Sequence, residues 1–335
     1  YLYIEYTYYI KFIQKILNFN METKYLDVHI IYSDKDKKYL PKLLQQYKKF
    51  KIENSIYNWE LSLKVHNNSG INNIGQFQRR LEIIKDAPKD HYIWFIDGDD
   101  EITGNADLKN NKEDVDMYIF SNKGFAYTSN GPLIVEDQKL HDSFLIQTIN
   151  YNQTFDSVNG YQISLMDLAG GALWSKWVKV KCWENILEYL DNLGYLNIKP
   201  NGSEDCFYCF YALSNAKNIF YSNKPIYFYR NDRSLIFNHT RKIISYKAFL
   251  NFRTNHLEIT NAIKKLNLPL DNFLLADLCC HTEKALLCVE IKKALQNIVD
   301  EFGKDTIINI LHEYGERIRL NHPIVIRLAY KYLTK

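Results

Sequence analysis

Residues His91–Ile102 read HYIWFIDGDDEI, and this stretch indicates the fold. Tyr92 to Ile96 are apolar or aromatic without alternation, which is typical of a strand buried on both faces of a sheet. The run stops at Asp97-Gly98-Asp99-Asp100, where three carboxylates repel one another and are costly to desolvate. The stretch therefore predicts a site for a hard divalent cation, which prefers carboxylate oxygens and, as Mg²⁺ or Mn²⁺, shares its ligand shell with phosphates. The alternative is a strand that ends in a solvated acidic turn.

The segments before this stretch alternate between strands and helices. Strands are predicted at Leu2–Tyr6, Asp27–Tyr32 and Trp59–Val65, and helices are predicted around Tyr9–Leu17, Leu40–Tyr47 and Phe77–Ile84. This alternation predicts a mostly parallel sheet with crossover helices. Ligands of such open sheets bind at the carboxyl ends of the strands, which is where the acidic stretch lies.

The pattern changes after Ile102. It predicts a strand at Val115–Phe120 and a hairpin that turns at Asn130-Gly131. Helices are predicted at Leu140–Ile149, at Cys182–Leu193 (ended by Gly194) and, after Asp205, from Cys206 to Ala216. A strand pair is predicted at Ile219–Tyr221 and Ile226–Tyr229. From about Ile243 the periodicity is helical. The prediction is an α/β domain over residues 1–240 and a helical C-terminal extension over residues 241–335.

Composition excludes several classes of protein. The formal net charge of +3 is small for 335 residues and argues against a dedicated nucleic-acid binder. No apolar run approaches the roughly 20 residues that span a bilayer. Six cysteines do not make a disulfide scaffold, so the prediction is a reduced, cytoplasmic compartment. Cys206-x-x-Cys209 has no second pair at zinc-site spacing, and no histidines show H-x-x-x-H spacing.

Several motifs occur in an order that resembles glycosyltransferase family 2, whose members have the GT-A fold, a Rossmann-like mixed sheet flanked by helices. The motifs are Ile30–Asp34 (IIYSD), Asn73–Arg80 (NIGQFQRR), Phe95–Asp100 (FIDGDD), Glu204-Asp205, and Ile226–Arg230 (IYFYR) with Ser234. The chain departs from the family pattern at Ser33, which replaces an acid, and at Leu81, which replaces an Asn. The family's opening motif is matched only faintly, by Glu5-Tyr6-Thr7.

The resemblance implies an inverting, metal-dependent glycosyltransferase. Such an enzyme moves a sugar from a nucleoside-diphosphate donor, usually a UDP-sugar, to a hydroxyl of a glycan or lipid-linked acceptor. Family members often act in polysaccharide biosynthesis at the inner membrane face, which implies a cytoplasmic protein with peripheral membrane contact. The cofactor implied is Mn²⁺ or Mg²⁺.

The resemblance also assigns roles to residues. Asp99 would bind the metal, Asp205 would be the general base, Glu204 would support the acceptor or its loop, and Arg230 would close over the diphosphate. The donor site would comprise Tyr6, Thr7, Asp34, Asn73, Arg80, Asp97, Gly98, Arg233 and Ser234, with Asp97 towards the ribose and Asp34 towards the base. The resemblance assigns Asp100 no single role: a direct metal ligand, a ligand through water and a cap of the following segment all stay open. From residue chemistry, Gly171 and Trp174 (with Trp177) offer an acceptor-sugar platform.

Plainer interpretations of the same residues stay open. Ser203 and Asp205 are also good helix caps, Arg230 also suits a basic turn, Arg80 also suits a solvated helix position, and the tryptophans also suit the core. Because Ser33 and Leu81 depart from the family pattern, a non-catalytic sugar-nucleotide or glycan-binding module also stays open as an interpretation. A strand that ends in D-x-D also opens some phosphohydrolases, although Glu101 stands where their motif has Thr or Val. The C-terminal helices would cover the core, form a homodimer, or bring Lys242, Arg317, Arg319 and Arg327 to an anionic membrane.

Overall fold

A computed structural model describes residues 23–54, 58–70, 73–103, 106, 114–121, 123–128, 131–136, 142–147, 149–156, 162–169, 171–200, 204–230, 243–270, 277–278, 281–282, 284–285, 287–305 and 308, with only the backbone of 123–128, 131–136, 167 and 255. The predicted strand Leu2–Tyr6 and the helix after it lie outside these residues.

A seven-stranded mixed sheet forms the centre of the chain. Its strands are β1 (Lys24–Tyr32), β2 (Trp59–Asn67), β3 (Tyr92–Asp97), β5 (Met117–Phe120), β8 (Phe144–Gln147), β11 (Lys176–Lys179) and β12 (Asn218–Ser222), in the order β2-β1-β3-β11-β5-β12-β8. The pairs β1–β2, β1–β3 and β5–β12 are parallel, whereas β11 is antiparallel to both of its neighbours and β8 is antiparallel to β12. The predicted α/β architecture is confirmed, with a sheet that is mixed rather than mostly parallel.

Helices cover both faces of this sheet. They are α1 (Leu40–Asn54) on one face and α2 (Gln76–Asp86) and α5 (Glu204–Asn215) on the other, and the chain also forms the shorter helices α3 (Leu165–Ala169) and α4 (Ile186–Asn192). On one face Phe50 of α1 packs against Trp94 and Trp177. On the other face Phe77 of α2 packs against Tyr208 of α5. Because side chains alternate along a strand, residues 92, 94 and 96 of β3 face α1 and residues 93, 95 and 97 face α2 and α5.

A smaller sheet extends from the carboxyl end of β3. It contains β4 (Glu101–Ile102), β6 (Lys123–Thr128), β7 (Gly131–Glu136) and β13 (Tyr227–Arg230) in the order β4-β13-β6-β7. The β6–β7 pair is antiparallel, as the predicted hairpin requires. A separate two-stranded ribbon joins β9 (Thr154–Asp156) and β10 (Gln162–Ser164).

Three sequence predictions about elements are wrong. The expected helix Leu140–Ile149 is replaced over part of its length by strand β8, because Phe144 and Ile146 pair with β12 at the sheet edge. The segments at 219 and 226 are both strands but do not pair with each other, since β12 and β13 belong to different sheets. The helix expected from Cys182 begins at Ile186, after a 3₁₀ helix at Val180–Trp183, because Asn185 takes a left-handed conformation (φ 62°).

The chain divides into two compact units. Residues 1–199 and 205–231 form the first, and residues 200–204 and 232–335 form the second. The described helices of the second unit are α6 (Tyr246–Lys264) and α7 (Ile291–Phe302), and its core includes Phe249, Leu278 and Leu295. None of the helices in the described part of the chain is long and apolar enough to cross a membrane. Lys242, Arg317, Arg319 and Arg327, on which the membrane prediction rests, lie outside the described residues.

Candidate active site

The acidic end of strand β3 lies against the end of strand β1. The Gly98 backbone N–H donates to the carbonyl of Ile31 at 2.9 Å. A Cβ added at Gly98 would lie 2.2 Å from the Cβ of Tyr32, which no real pair of carbon atoms tolerates. Gly98 is therefore required by the close approach of the neighbouring strand, and its predicted place in the donor site stays a prediction.

Arg80 brings together two carboxylates that are far apart in sequence. From α2, its guanidinium donates to Asp205 at the start of α5 and to Asp97 Oδ1 at 3.5 Å. Gln76 one turn earlier accepts from the same group at 3.2 Å. The Arg80 side chain is 2% exposed, whereas those of Asp97 and Asp205 are 20% and 24% exposed. Arg80 is thus not a solvated helix position, and both carboxylates remain within reach of a ligand.

Asp100 joins the acidic loop to the smaller sheet. Tyr227 donates its hydroxyl to Asp100 Oδ2, and the backbone N–H of Arg230 donates to Asp100 Oδ1 at 2.7 Å. Complete burial and the charges of Asp97 and Asp99 raise the pKa of Asp100 well above its ordinary value, although these hydrogen bonds oppose the shift. Because both carboxylate oxygens accept hydrogen bonds from β13, Asp100 is placed as a structural bridge rather than a direct ligand.

The guanidinium of Arg230 lies beside this bridge. Its Nε donates to the carbonyl of Asp99 at 2.8 Å, and its Nη2 donates to Glu101 Oε1 at 3.2 Å. Its central carbon lies 4.5 Å from the ring centroid of Tyr39. The side chain is 7% exposed, so Arg230 is not an exposed basic turn. It places a positive charge within the acidic loop, and its predicted contact with a diphosphate stays a prediction.

Asp99 is the carboxylate of the loop that is best placed for a cation. It is half-buried, and no side chain in the described ranges hydrogen-bonds its carboxylate. Burial raises the pKa of Asp99, and the negative charge of Asp36 raises it further. Asp36 follows β1 and is itself anchored by the backbone N–H of Ser33 at 3.1 Å. A half-buried acid near a second acid, with only oxygen donors, fits a hard dication such as Mg²⁺ or Mn²⁺.

Two of the predicted nucleotide contacts lie on the loops at the same sheet edge. The backbone N–H of Asp34 donates to Ser69 Oγ at 2.6 Å, which ties the β1 exit to the loop after β2. Asn73 Oδ1 accepts from the backbone N–H of Gly75 at 3.1 Å, one residue before α2. Both residues are exposed to solvent.

The predicted acceptor residues flank the site from the loop before β11. Trp174 stacks on Tyr227 and Tyr229, with ring centroids 4.7 and 5.3 Å apart. A Cβ built at Gly171 would lie 3.8 Å from Cys206 Sγ, so Gly171 lies next to the start of α5 and hence to Asp205. Trp177, by contrast, is 1% exposed and belongs to the core.

The remaining predicted residues divide between the described and undescribed segments. Glu204 is the first residue of α5. Tyr6, Thr7, Arg233 and Ser234 lie outside the described residues. Asp36 was not among the predicted site residues, and Tyr227 had no predicted role. Asp36 stands in the polar exit of β1, which ends at the same edge as β3, and that shared edge was the available signal.

The chain matches no protein-family model and no curated protein. Among solved structures it is similar to S. aureus TarS. A structure of TarS residues 1–349 is 16% identical, with 88% of this chain and 87% of that chain covered and a TM-score of 0.41. A longer TarS structure is 15% identical with the same TM-score, and the match spans 86% of this chain and 54% of that one. At this identity and TM-score, nothing about function is carried from TarS to this chain.

Proposed function

We infer that this protein is a glycosyltransferase that moves a sugar from a nucleoside-diphosphate donor, a UDP-sugar in the first instance, to a hydroxyl of a glycan or lipid-linked acceptor. The observation that carries the proposal is the Arg80 bridge between Asp97 and Asp205. Three segments that the motif resemblance singles out meet there, at the carboxyl end of the central strand. The same edge carries Asp34 and Asp99, as a donor site requires.

In the proposed reaction, the acceptor hydroxyl oxygen bonds to the anomeric carbon as the bond from that carbon to the diphosphate oxygen breaks. The diphosphate leaves with the electron pair, and the hydroxyl proton passes to Asp205. Attack from the side opposite the leaving group inverts the anomeric configuration. Positioning of the acceptor and removal of its proton typically contribute about 10²–10⁴-fold to the rate.

The environment of Asp205 supports its role as the base. Arg80 holds one oxygen of the carboxylate and so sets its orientation, while the side chain remains 24% exposed to an acceptor. Gly171 lies beside the start of α5 and leaves room there because it has no side chain. Trp174 would contribute an aromatic edge to the acceptor side, and Glu204 would support the acceptor from the same helix start.

Asp99 would hold the dication, which would stabilise the negative charge of the leaving diphosphate when bound. Asp97, held by Arg80, would accept from the ribose hydroxyls. Arg230 would keep the backbone of the acidic loop in place through the Asp99 carbonyl. Asp34 and Asn73 would contribute to the base and phosphate contacts.

The proposal is tested with the full chain, Mn²⁺ and a panel of nucleotide sugars, scored by release of nucleoside diphosphate without acceptor. We expect release with one donor and an increase in melting temperature with the matching diphosphate plus Mn²⁺. Asp99→Asn should abolish the thermal shift. Asp205→Asn should keep the shift and lose at least about 100-fold in the rate of diphosphate release, because water then takes the place of the acceptor and also gives its proton to the base.

Asp114→Asn is the matched control. Asp114 is exposed, precedes β5 at the amino-terminal edge of the sheet, and pairs with Lys179. Its replacement should alter neither the thermal shift nor the release of diphosphate. Donor binding without release or transfer would favour the non-catalytic binding module. Hydrolysis of an aryl phosphate that is lost in Asp97→Asn would favour a phosphohydrolase. Absence of both a thermal shift and diphosphate release across the panel would overturn the proposal.

A further inference from the structure

A second cluster of metal-binding side chains lies in the helical unit. His256 comes from α6, and Asp277 and His281 are four residues apart in a helical segment. His256 Nδ1 lies 3.3 Å from Asp277 Oδ1, and His281 Nε2 lies 3.5 Å from Asp277 Oδ2. One ligand atom from each residue fits within 4.8 Å of the other two. Histidine spacing alone does not predict this cluster, because its third member is an aspartate.

The cluster is buried, and one of its members, His281, lacks the hydrogen bonds that burial normally requires. The exposed fractions of the His256, Asp277 and His281 side chains are 6%, 4% and 0%. Neither ring nitrogen of His281 has a hydrogen-bond partner among the residues that the structure describes. Buried polar atoms are nearly always paired, and each one that is not requires an explanation. A cation bound at His281 Nε2 would supply the missing partner.

The spacing of the three side chains suits a tetrahedral ion. Bonds of about 2.0–2.1 Å to nitrogen and oxygen place neighbouring ligands of a tetrahedral zinc about 3.3 Å apart. The two His–Asp separations of 3.3 and 3.5 Å are close to that value. The remaining His–His separation needs only a side-chain adjustment to match it, since it is within 4.8 Å.

The surroundings hold the carboxylate in place. Thr260, one turn after His256 on α6, donates its hydroxyl to Asp277 Oδ2 at 3.1 Å. Such hydrogen bonds to a ligating carboxylate orient it and increase affinity for the metal. Phe252 packs on both imidazoles, with ring centroids 4.3 and 5.4 Å away. Lys284 lies over the same Phe252 ring and adds a positive charge, so a dication there depends on the ionised Asp277.

We propose that His256, Asp277 and His281 bind a transition-metal dication, with Zn²⁺ as the representative ion, which links α6 to the segment at 277–285. Two imidazoles and one carboxylate are a donor set for zinc and its neighbours in the first row, whereas Mg²⁺ and Ca²⁺ prefer oxygen alone. Three protein ligands leave one position of a tetrahedral ion to a further ligand such as water, and the burial of all three side chains places the ion inside the helical unit. The site is chemically distinct from the all-oxygen site at Asp99 and does not depend on the proposed function.

The test measures metal content in the full chain, expressed with zinc in the medium and freed of loosely bound ions by gel filtration. We expect about one zinc per chain by mass spectrometry. His281→Gln and Asp277→Asn should each reduce the content at least tenfold. Two controls should keep it: Asp99→Asn, which removes the proposed hard-cation ligand, and His29→Gln, which replaces an equally buried histidine of β1.

A spectroscopic measurement on the unmodified protein covers the case in which the variants do not fold. After the bound ion is removed with a chelator, addition of Co²⁺ should produce the visible absorption bands of a tetrahedral site, and prior addition of Zn²⁺ should prevent them. Less than a tenth of an equivalent of zinc together with no Co²⁺ bands would overturn the proposal. Zinc lost in Asp99→Asn but retained in folded His281→Gln would also overturn it.

Discussion

Replacement of Gly98 by alanine is the sharpest perturbation of the acidic loop. The added Cβ would lie 2.2 Å from Tyr32 Cβ and 3.0 Å from Tyr32 Cα. Carbon atoms pack at about 3.5 Å or more, so the closest pair is about 1.3 Å too near. A change of rotamer cannot relieve this overlap, because both atoms of Tyr32 belong to the rigid part of β1, which pairs with β2 on one side and β3 on the other.

The end of β3 must therefore move away from β1. Overpacking typically costs about 1–3 kcal/mol. The hydrogen bond from Gly98 N–H to Ile31 would also be lost, and one such bond contributes about 1 kcal/mol. We expect a loss of about 3 kcal/mol in the free energy of unfolding, which corresponds to a decrease of about 6–12 °C in melting temperature. A displacement of about 1 Å at Asp97 and Asp99 would also reduce turnover by about 100-fold.

Gly194→Ala is the matched control for this variant. Gly194 follows α4 with φ of 73°, and no atom lies within 4 Å of the built Cβ. Its replacement should cost about 1–2 kcal/mol through backbone strain alone, with donor turnover unchanged. The melting temperature of each variant and its rate of donor turnover check the prediction. Wild-type stability in Gly98→Ala, or equal losses of turnover in both variants, would refute the packing argument.

Three further substitutions test the contacts around the site. Arg80→Gln should cost about 2–3 kcal/mol by urea denaturation, less than the ~3–5 kcal/mol of a fully buried pair because Asp97 and Asp205 still reach water. The neighbouring Arg79→Gln should cost less, about 0.5–1 kcal/mol, since its partner Glu82 is exposed. Equal losses would contradict the bridge. Tyr227→Phe should cost about 2–4 kcal/mol in the free energy of unfolding, because Asp100 Oδ2 and the Asp97 N–H lose their partner. Tyr47→Phe should be neutral or stabilising, since the buried Tyr47 hydroxyl has no partner within the described ranges. A large loss in Tyr47→Phe would count against this reasoning. Burial raises the pKa of Asp27, but hydrogen bonds from Ser62 and His91 outweigh it and lower the pKa below its usual value. Asp27 therefore stabilises the fold above its unfolded pKa of about 3.9, and the contribution disappears as the pH falls through the lower folded pKa. Asp27→Asn should reduce the decrease in melting temperature between about pH 5 and pH 3, whereas Asp191→Asn, at an exposed position, should leave that decrease unchanged. The same decrease in Asp27→Asn as in the wild type would exclude a role for Asp27.

The central sheet was predictable because its signals are local. Tyr92 to Ile96 form an unbroken apolar run, and the alternation of such runs with helices of ordinary length indicates the parallel strands β1, β2 and β3. Strand β11, the other neighbour of β3, lies outside that alternation. Strand β8 was not predictable in the same way, because Phe144 to Ile146 become a strand only through pairing with β12. A short apolar run does not by itself distinguish a strand from a helix.

The candidate site was predictable as a set of residues but not as a set of contacts. Asp97 and Arg80 were expected at the donor and Asp205 as the general base, yet nothing local shows that Arg80 would pair with both carboxylates. The role of Asp100 depends on Tyr227 and on a backbone N–H of β13, which no motif reveals. The His256–Asp277–His281 cluster combines residues of two segments and has only the Asp277–His281 spacing as a local sign.

The bridge from Asp100 to Tyr227 also has a consequence for how the chain acquires its site during synthesis. The two residues are 127 positions apart, and Arg80 and Asp205 are 125 positions apart. Contacts across such separations close large loops, form late in folding and slow it. Strands β1 to β3 are complete when residue 97 leaves the ribosome, but the carboxylate of Asp100 lacks its partners until β13 has been made. We therefore expect a chain that ends before Tyr227 to leave the acidic loop exposed to proteases, and the intact chain to become resistant there only after its last strand has joined.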